Sequence, residues 1–174
     1  MNRSVAWLGG AVAMLLLPGG ALAGEEQTIT AFVPWVGQGA SFQTGPKDLT
    51  FVGSLVGPVY VESDQGPIPS GRMTCPALIK VNENAEQQAT GSCVVKGKDG
   101  ALVFAEITCK GVFLVGCDGE FKITGGTDRF AGVTGGGPVL VRSESRTIAM
   151  TADAVGQDQG SGILYLRGLH YKLP

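Results

Sequence analysis

Beyond residue 27, apolar and polar residues alternate with a period of two along almost the whole chain, and this period constrains the fold more than any other feature. Alternation of this kind belongs to pleated strands with one buried face. Eight segments carry it: 28–36, 49–62, 72–81, 87–96, 101–110, 119–124, 138–152 and 163–172. Turn signals punctuate them at Thr44-Gly45-Pro46, Gln65-Gly66-Pro67, Asp99-Gly100, Gly125-Gly126, Gly135-Gly136-Gly137 and from Gly156 to Gly162, residue types that set turn geometry. No segment has the spacing of a long amphipathic helix. The pattern predicts an all-β domain, an antiparallel closed barrel of about eight strands, with a β-sandwich as the alternative. Closure removes exposed sheet edges. Gly53, Gly57, Gly91, Gly119 and Gly168 fall inside strand segments, where glycine marks tight bending or close backbone approach.

The cysteines add a register. Glu83-Asn84-Ala85 separates two strand segments, and position 84 is also the midpoint of Cys75 and Cys93. A hairpin folded there sets the two cysteines opposite one another, about 4.5 Å apart at Cα if the site is not hydrogen-bonded, within reach of a disulfide. Cys109 and Cys117 then pair across the short loop 110–116, giving two disulfides. On the face of Cys75 and Cys93 lie Met73, Ala77, Ile79, Val81, Ala89, Gly91 and Val95, and the opposite face carries Arg72, Lys80, Asn82 and Lys96. The disulfide face therefore looks into the core. By the same parity Val103, Ala105, Ile107, Phe121 and Ile123 line the interior. Cysteine spacings of 17, 15 and 7 residues with a single His at the far end do not make a zinc pattern, and no C-x-x-C is present. No metal or cofactor is expected.

Residues 1–23 read as a cleaved secretory signal peptide: Arg3 is the positive start, 5–17 the apolar stretch, and Ala21-Leu22-Ala23 the small-x-small cleavage site. The apolar run is too short for a spanning helix. Residues 24–174 form a single domain of 151 residues with 12 basic and 15 acidic side chains. That balance carries no basic patch for nucleic acid, and no later apolar stretch is long enough to span a membrane as a helix. The leader and the paired cysteines place the protein outside the cytoplasm, in the periplasm or beyond the cell.

The segment running from Phe121 through Gly125-Gly126-Thr127-Asp128-Arg129-Phe130 to Gly136 resembles a signature of the allene oxide cyclase-like and dirigent-like barrels, a strand followed by G-G-T-G-[RK]-F. Asp128 stands where those families carry Gly, at a position suited to left-handed backbone. The run 49–140 is also similar to a group of small exported bacterial barrels with several cysteines. The resemblance implies an eight-stranded antiparallel barrel whose relatives cyclise an epoxide, guide radical coupling or close rings without a cofactor.

Candidate site residues are few. Tyr165, Arg167 and Tyr171 share parity with Ile163 and Leu169 on the last strand, so an inward face there would bury the Arg167 charge and call for an acidic partner or ligand. Glu106 is a strand carboxylate that parity turns outward. Arg142, Glu144 and Arg146 alternate as a solvated charged face, with an anion-binding groove as the alternative. His170, the only His, belongs to an exposed strand end, and Phe32 to Trp35 form a core strand or the cover of a barrel mouth.

Three functions follow from these residues. The first is a non-enzymatic exported barrel that binds a small apolar molecule or serves as a stable envelope component. The second is a cofactor-independent isomerase or cyclase working in the barrel cavity, with no catalytic residue assigned; Arg167, Tyr165, Tyr171 and Glu106 are the candidate ligand-binding groups, and a cyclase would need at least one such acid–base group inside. The third is an oligomeric interaction module using Leu102 and Phe104.

Overall fold

The computed structural model describes Gly24, residues 26–151 and residues 153–174, so the leader reading at 1–23 lies outside the described residues. The strands are β1 (Glu26–Gln43), β2 (Leu49–Val61), β3 (Ile68–Val81), β4 (Glu86–Gly97), β5 (Leu102–Val112), β6 (Gly116–Gly126), β7 (Thr134–Met150) and β8 (Val155–Lys172). Each is antiparallel to its neighbours in sequence, and β8 pairs back onto β1 to close a barrel. A short 3-10 turn, Asp128–Phe130, joins β6 to β7.

Inward positions alternate with outward ones, as the period requires. Val33, Met73, Cys93, Ala105 and Val139 form a buried middle layer, in which each buried Val or Met side chain is worth about 1.5–3 kcal/mol. The β3–β4 hairpin is centred on Asn84, with Val81 opposite Gln87 and Gly71 opposite Gly97. The Asn82 side-chain oxygen accepts hydrogen bonds from the backbone N–H groups of Asn84 and Glu86, holding that turn. Cys75 and Cys93 are disulfide-bonded with their Cα atoms 4.1 Å apart. Cys109 and Cys117 form the second bridge, which runs diagonally, because Cys109 lies opposite Gly119 and Cys117 opposite Gly111. The two bridges fit an oxidising compartment.

Three strands differ from the expectation. Gly156 to Gly162 is not a turn but the first half of β8, paired with both β1 and β7. β1 likewise continues seven residues past Val36, to Gln43. β7 and β8 each carry a bulge, between Ser143 and Ser145 and between Leu166 and Leu169. A bulge adds one residue to one side of a ladder and so reverses the inward and outward faces beyond it. In β8 the bulge sits at Gly168, whose φ of 65° is a left-handed conformation that glycine adopts without penalty.

Among the described residues no helix is long and apolar enough to cross a membrane. Nor does any group of three or more His, Cys, Asp or Glu among them stand together as metal ligands do.

Candidate functional site

The middle layer separates two cavities that share no lining residue. One lies toward the β2–β3, β4–β5 and β6–β7 loops and measures about 370 Å³, within the size range of small-molecule sites. The strand residues that β1 to β5 turn toward it are small or branched: Ile29, Ala31, Val59, Val61, Val95 and Val103 among them. Phe121, Ile123, Leu166, Leu169 and Phe130 complete an apolar cup. Eight-stranded barrels are just wide enough for side chains to fill, and these do not meet across the axis.

The glycine-rich motif builds one wall of this cup. Asp128 has φ 52°, the left-handed backbone expected at that position. Thr127 Oγ1 accepts a hydrogen bond from the Leu102 N–H at 3.0 Å, which ties the motif to β5. Arg129 Nε donates to Asp99 Oδ2 at 2.6 Å across to the β4–β5 turn, and its guanidinium lies 4.2 Å from the centre of the Phe130 ring. That hydrogen bond from Arg129 holds the Asp99 carboxyl below the usual aspartate range. The motif residues thus support the rim.

The candidate residues separate. Tyr171 lines the cup, and its hydroxyl donates to Gln27 Oε1 at 2.5 Å. Tyr165 lies on the outer wall, donating to Glu62 Oε1 at 3.2 Å with the Arg167 guanidinium 5.5 Å from its ring centre. Arg167 is exposed; the shared parity assigned to Tyr165, Arg167, Leu169 and Tyr171 is corrected by the Gly168 bulge, which leaves Ile163, Tyr165 and Arg167 outside and turns Leu169 and Tyr171 in. Glu106 faces outward onto a groove of the outer wall with Ser92 and Thr108. His170 is exposed, Leu102 half-buried and Phe104 exposed.

The opposite end holds residues that the sequence reading placed elsewhere or passed over. The bulge in β7 turns Arg146 inward, away from the solvated face assigned to it with Arg142 and Glu144. There it meets Asp158: Arg146 Nε lies 2.9 Å from Oδ1, and the side chains are only 11% and 3% exposed. Ser41 Oγ donates to Asp158 Oδ2 at 2.6 Å. Phe51 and Phe113 flank the guanidinium, their ring centres 5.3 and 4.8 Å away. Asp158 was hidden by the glycines around it, which read as a loop. The signal available was Asp158 sharing parity with Leu164 and Leu166.

Below this pair lies Trp35, 8% exposed and reaching into a smaller chamber of about 60 Å³. Its indole has room because glycines flank it: a Cβ on Gly37 would come within 3.3 Å of Trp35 Cζ3, and one on Gly162 within 2.7 Å of Cζ2.

No family model and no curated protein matches this chain. Among solved structures the chain is similar to the pterocarpan synthase dirigent protein, with 9% sequence identity and a TM-score of 0.34, over 94% of this chain and 99% of that one.

Proposed function

We propose that the protein is a non-enzymatic exported barrel that takes up a small apolar molecule in the cup at the β2–β3, β4–β5 and β6–β7 end. The observation that supports this reading is the cup itself, about 370 Å³ of space walled by aliphatic and aromatic side chains. Apolar surface left uncovered in a concavity of this size is stabilised by an apolar guest, at about 25 cal/mol for each Å² removed from water. Specificity then comes from the few polar groups in its lining: Glu62, Ser63, Ser70, Arg129 and the Tyr171 hydroxyl. Of the four candidate ligand-binding groups only Tyr171 faces an interior cavity, and the other acid–base candidates a cyclase could use lie outside it.

The test is titration with the neutral fluorescent probe N-phenyl-1-naphthylamine, comparing the native chain with Val61→Trp, which fills the cup. Saturable enhancement with one site per chain, weakened at least about tenfold by the substitution, supports the proposal. Absence of saturation, or equal binding by both proteins, overturns it.

A further inference from the structure

The outer wall of the barrel is not alike all round. On β3 to β6 its solvent side carries Arg72, Lys80, Lys96, Glu106, Lys110 and Lys122. On β8, β1 and β2, which are neighbours in the sheet, the outward positions are every second residue from Val155 to Tyr165, from Phe32 to Phe42 and from Thr50 to Tyr60, six on each strand, and none of them is charged. Several are apolar yet open to water: Val36 is 63% exposed and Val52 50%, and Pro34, Pro58 and Ile163 are exposed as well. Phe32 and Tyr60 stack at one end with ring centres 5.3 Å apart. A belt of neutral polar groups crosses the middle, with Ser54 opposite Gln38 and Gln38 opposite Gln159. Solvent faces of soluble domains carry interspersed charge, and a contiguous apolar patch without it marks an interaction surface. With strands about 4.8 Å apart and outward residues about 6.7 Å apart along each strand, the face covers about 600 Å² in projection, on the order of one side of a stable protein–protein interface.

We infer that this face seats a second copy of the chain, barrel wall against barrel wall. Two copies of an uncharged face meet without repulsion in a two-fold contact, where both partners use the same patch. The belt is self-complementary, because each carboxamide and hydroxyl both donates and accepts and so pairs with its own kind. A lipid surface fits less well. It would set the carboxamides of Gln38 and Gln159 against hydrocarbon, which is costly, and the face holds no Lys or Arg to attract anionic headgroups. Charge returns at the border, with Arg72 opposite Pro58, Arg142 opposite Ile163, and Glu62 and Arg167 just past the aromatic end, as the polar rim of a buried interface does. The face lies outside the barrel and the apolar cup inside it, so this association stands or falls separately from the function proposed above.

The experiment is analytical ultracentrifugation of the purified protein, with both disulfides formed, over a dilution series. The expected mass is twice that of one chain at the concentrated end, falling to that of one chain on dilution. Val36→Lys puts an unpaired charge into the contact and raises the dissociation constant at least about tenfold. Val52→Lys does the same from β2 and serves if Val36→Lys does not fold. Ser92→Lys, on the outer wall of β4 and away from the face, leaves the association unchanged. A mass of one chain at every concentration, association that persists in both face variants, or a single chain that instead floats with phosphatidylcholine vesicles overturns the inference.

Discussion

At the cup end of the barrel the inward residues of β1 to β5 are mostly Ala, Val and Ile, whereas at the other end the same strands add the bulky Trp35 and Phe51 and the buried Gln87 to their aliphatic residues, and β7 and β8 add Arg146 and Asp158. One sheet with one alternation therefore produces an open apolar vessel and a nearly filled end that holds a buried ion pair. Side-chain volume decides which end stays open, because strand number fixes the barrel's width while interior groups pack to the density of organic crystals wherever they can reach each other. Long strands reinforce the contrast: β1, β7 and β8 have 18, 17 and 18 residues against 11 for β5 and β6, and their extra length carries the Ser41, Arg146 and Asp158 cluster.

If the polar end is the structural one, breaking it should cost most. Asp158→Ala leaves the Arg146 guanidinium buried without its partner, and urea denaturation should show a loss of about 3–5 kcal/mol. Replacing both partners, as Arg146→Met with Asp158→Leu, should recover most of that loss; failure to recover would mean that the pair specifies the barrel end beyond its charge. Next in size is the bridge beside the middle layer. Cys75→Ala with Cys93→Ala should lower stability by about 3 kcal/mol, the value for releasing a loop of that length in the unfolded chain, and non-reducing peptide maps of the native protein should recover Cys75 joined to Cys93.

The cup end should respond differently. Val61→Trp should weaken probe binding at least about tenfold, equivalent to roughly 1.4 kcal/mol, while the Trp35 indole resonance stays where it is; movement of that resonance would show that the two ends are coupled. The smallest effect belongs to the rim. Asp99 has its folded pKa held down by the Arg129 hydrogen bond, so its contribution is present above the ordinary aspartate value of about 4 and is lost as pH falls through the lowered one. Asp99→Asn should therefore lower stability slightly at neutral pH and leave it unchanged at low pH, flattening the acid-side dependence; the effect is small because exposed ion pairs contribute little. Parallel urea curves at acidic and neutral pH read this directly.

The apolar half of the molecule was largely legible in the amino-acid sequence. The symmetric placement of Cys75 and Cys93 about Asn84 gave the hairpin register, and parity from those cysteines correctly turned Ala105, Ile107, Phe121 and Ile123 inward. Glu106 followed the same rule outward. The polar end was not legible, for two physical reasons. Parity propagates only along an uninterrupted ladder, and the bulge in β7 reverses it before Arg146, as the β8 bulge does after Arg167 at the cup end. Glycines at Gly156, Gly160 and Gly162 also look like a loop when read singly, although in the barrel Gly160 lines the chamber and Gly162 makes room for the Trp35 ring. Composition reports glycine without saying whether the missing side chain frees the backbone or clears space for a neighbour.

The closure of the barrel by β1 on β8 has a further consequence for how the chain opens and folds. That seam joins Glu26 to Lys172 and Phe42 to Val155, the pairing most distant in sequence, so forming it requires the largest loop closure in the molecule and belongs late on the folding path. Both disulfides lie within β3 to β6 and leave the seam without a covalent tie. Oxidation therefore secures the centre of the sheet but not its ends, and amide hydrogens along β1 and β8 should exchange before those of β3 to β6 even when every cysteine is paired.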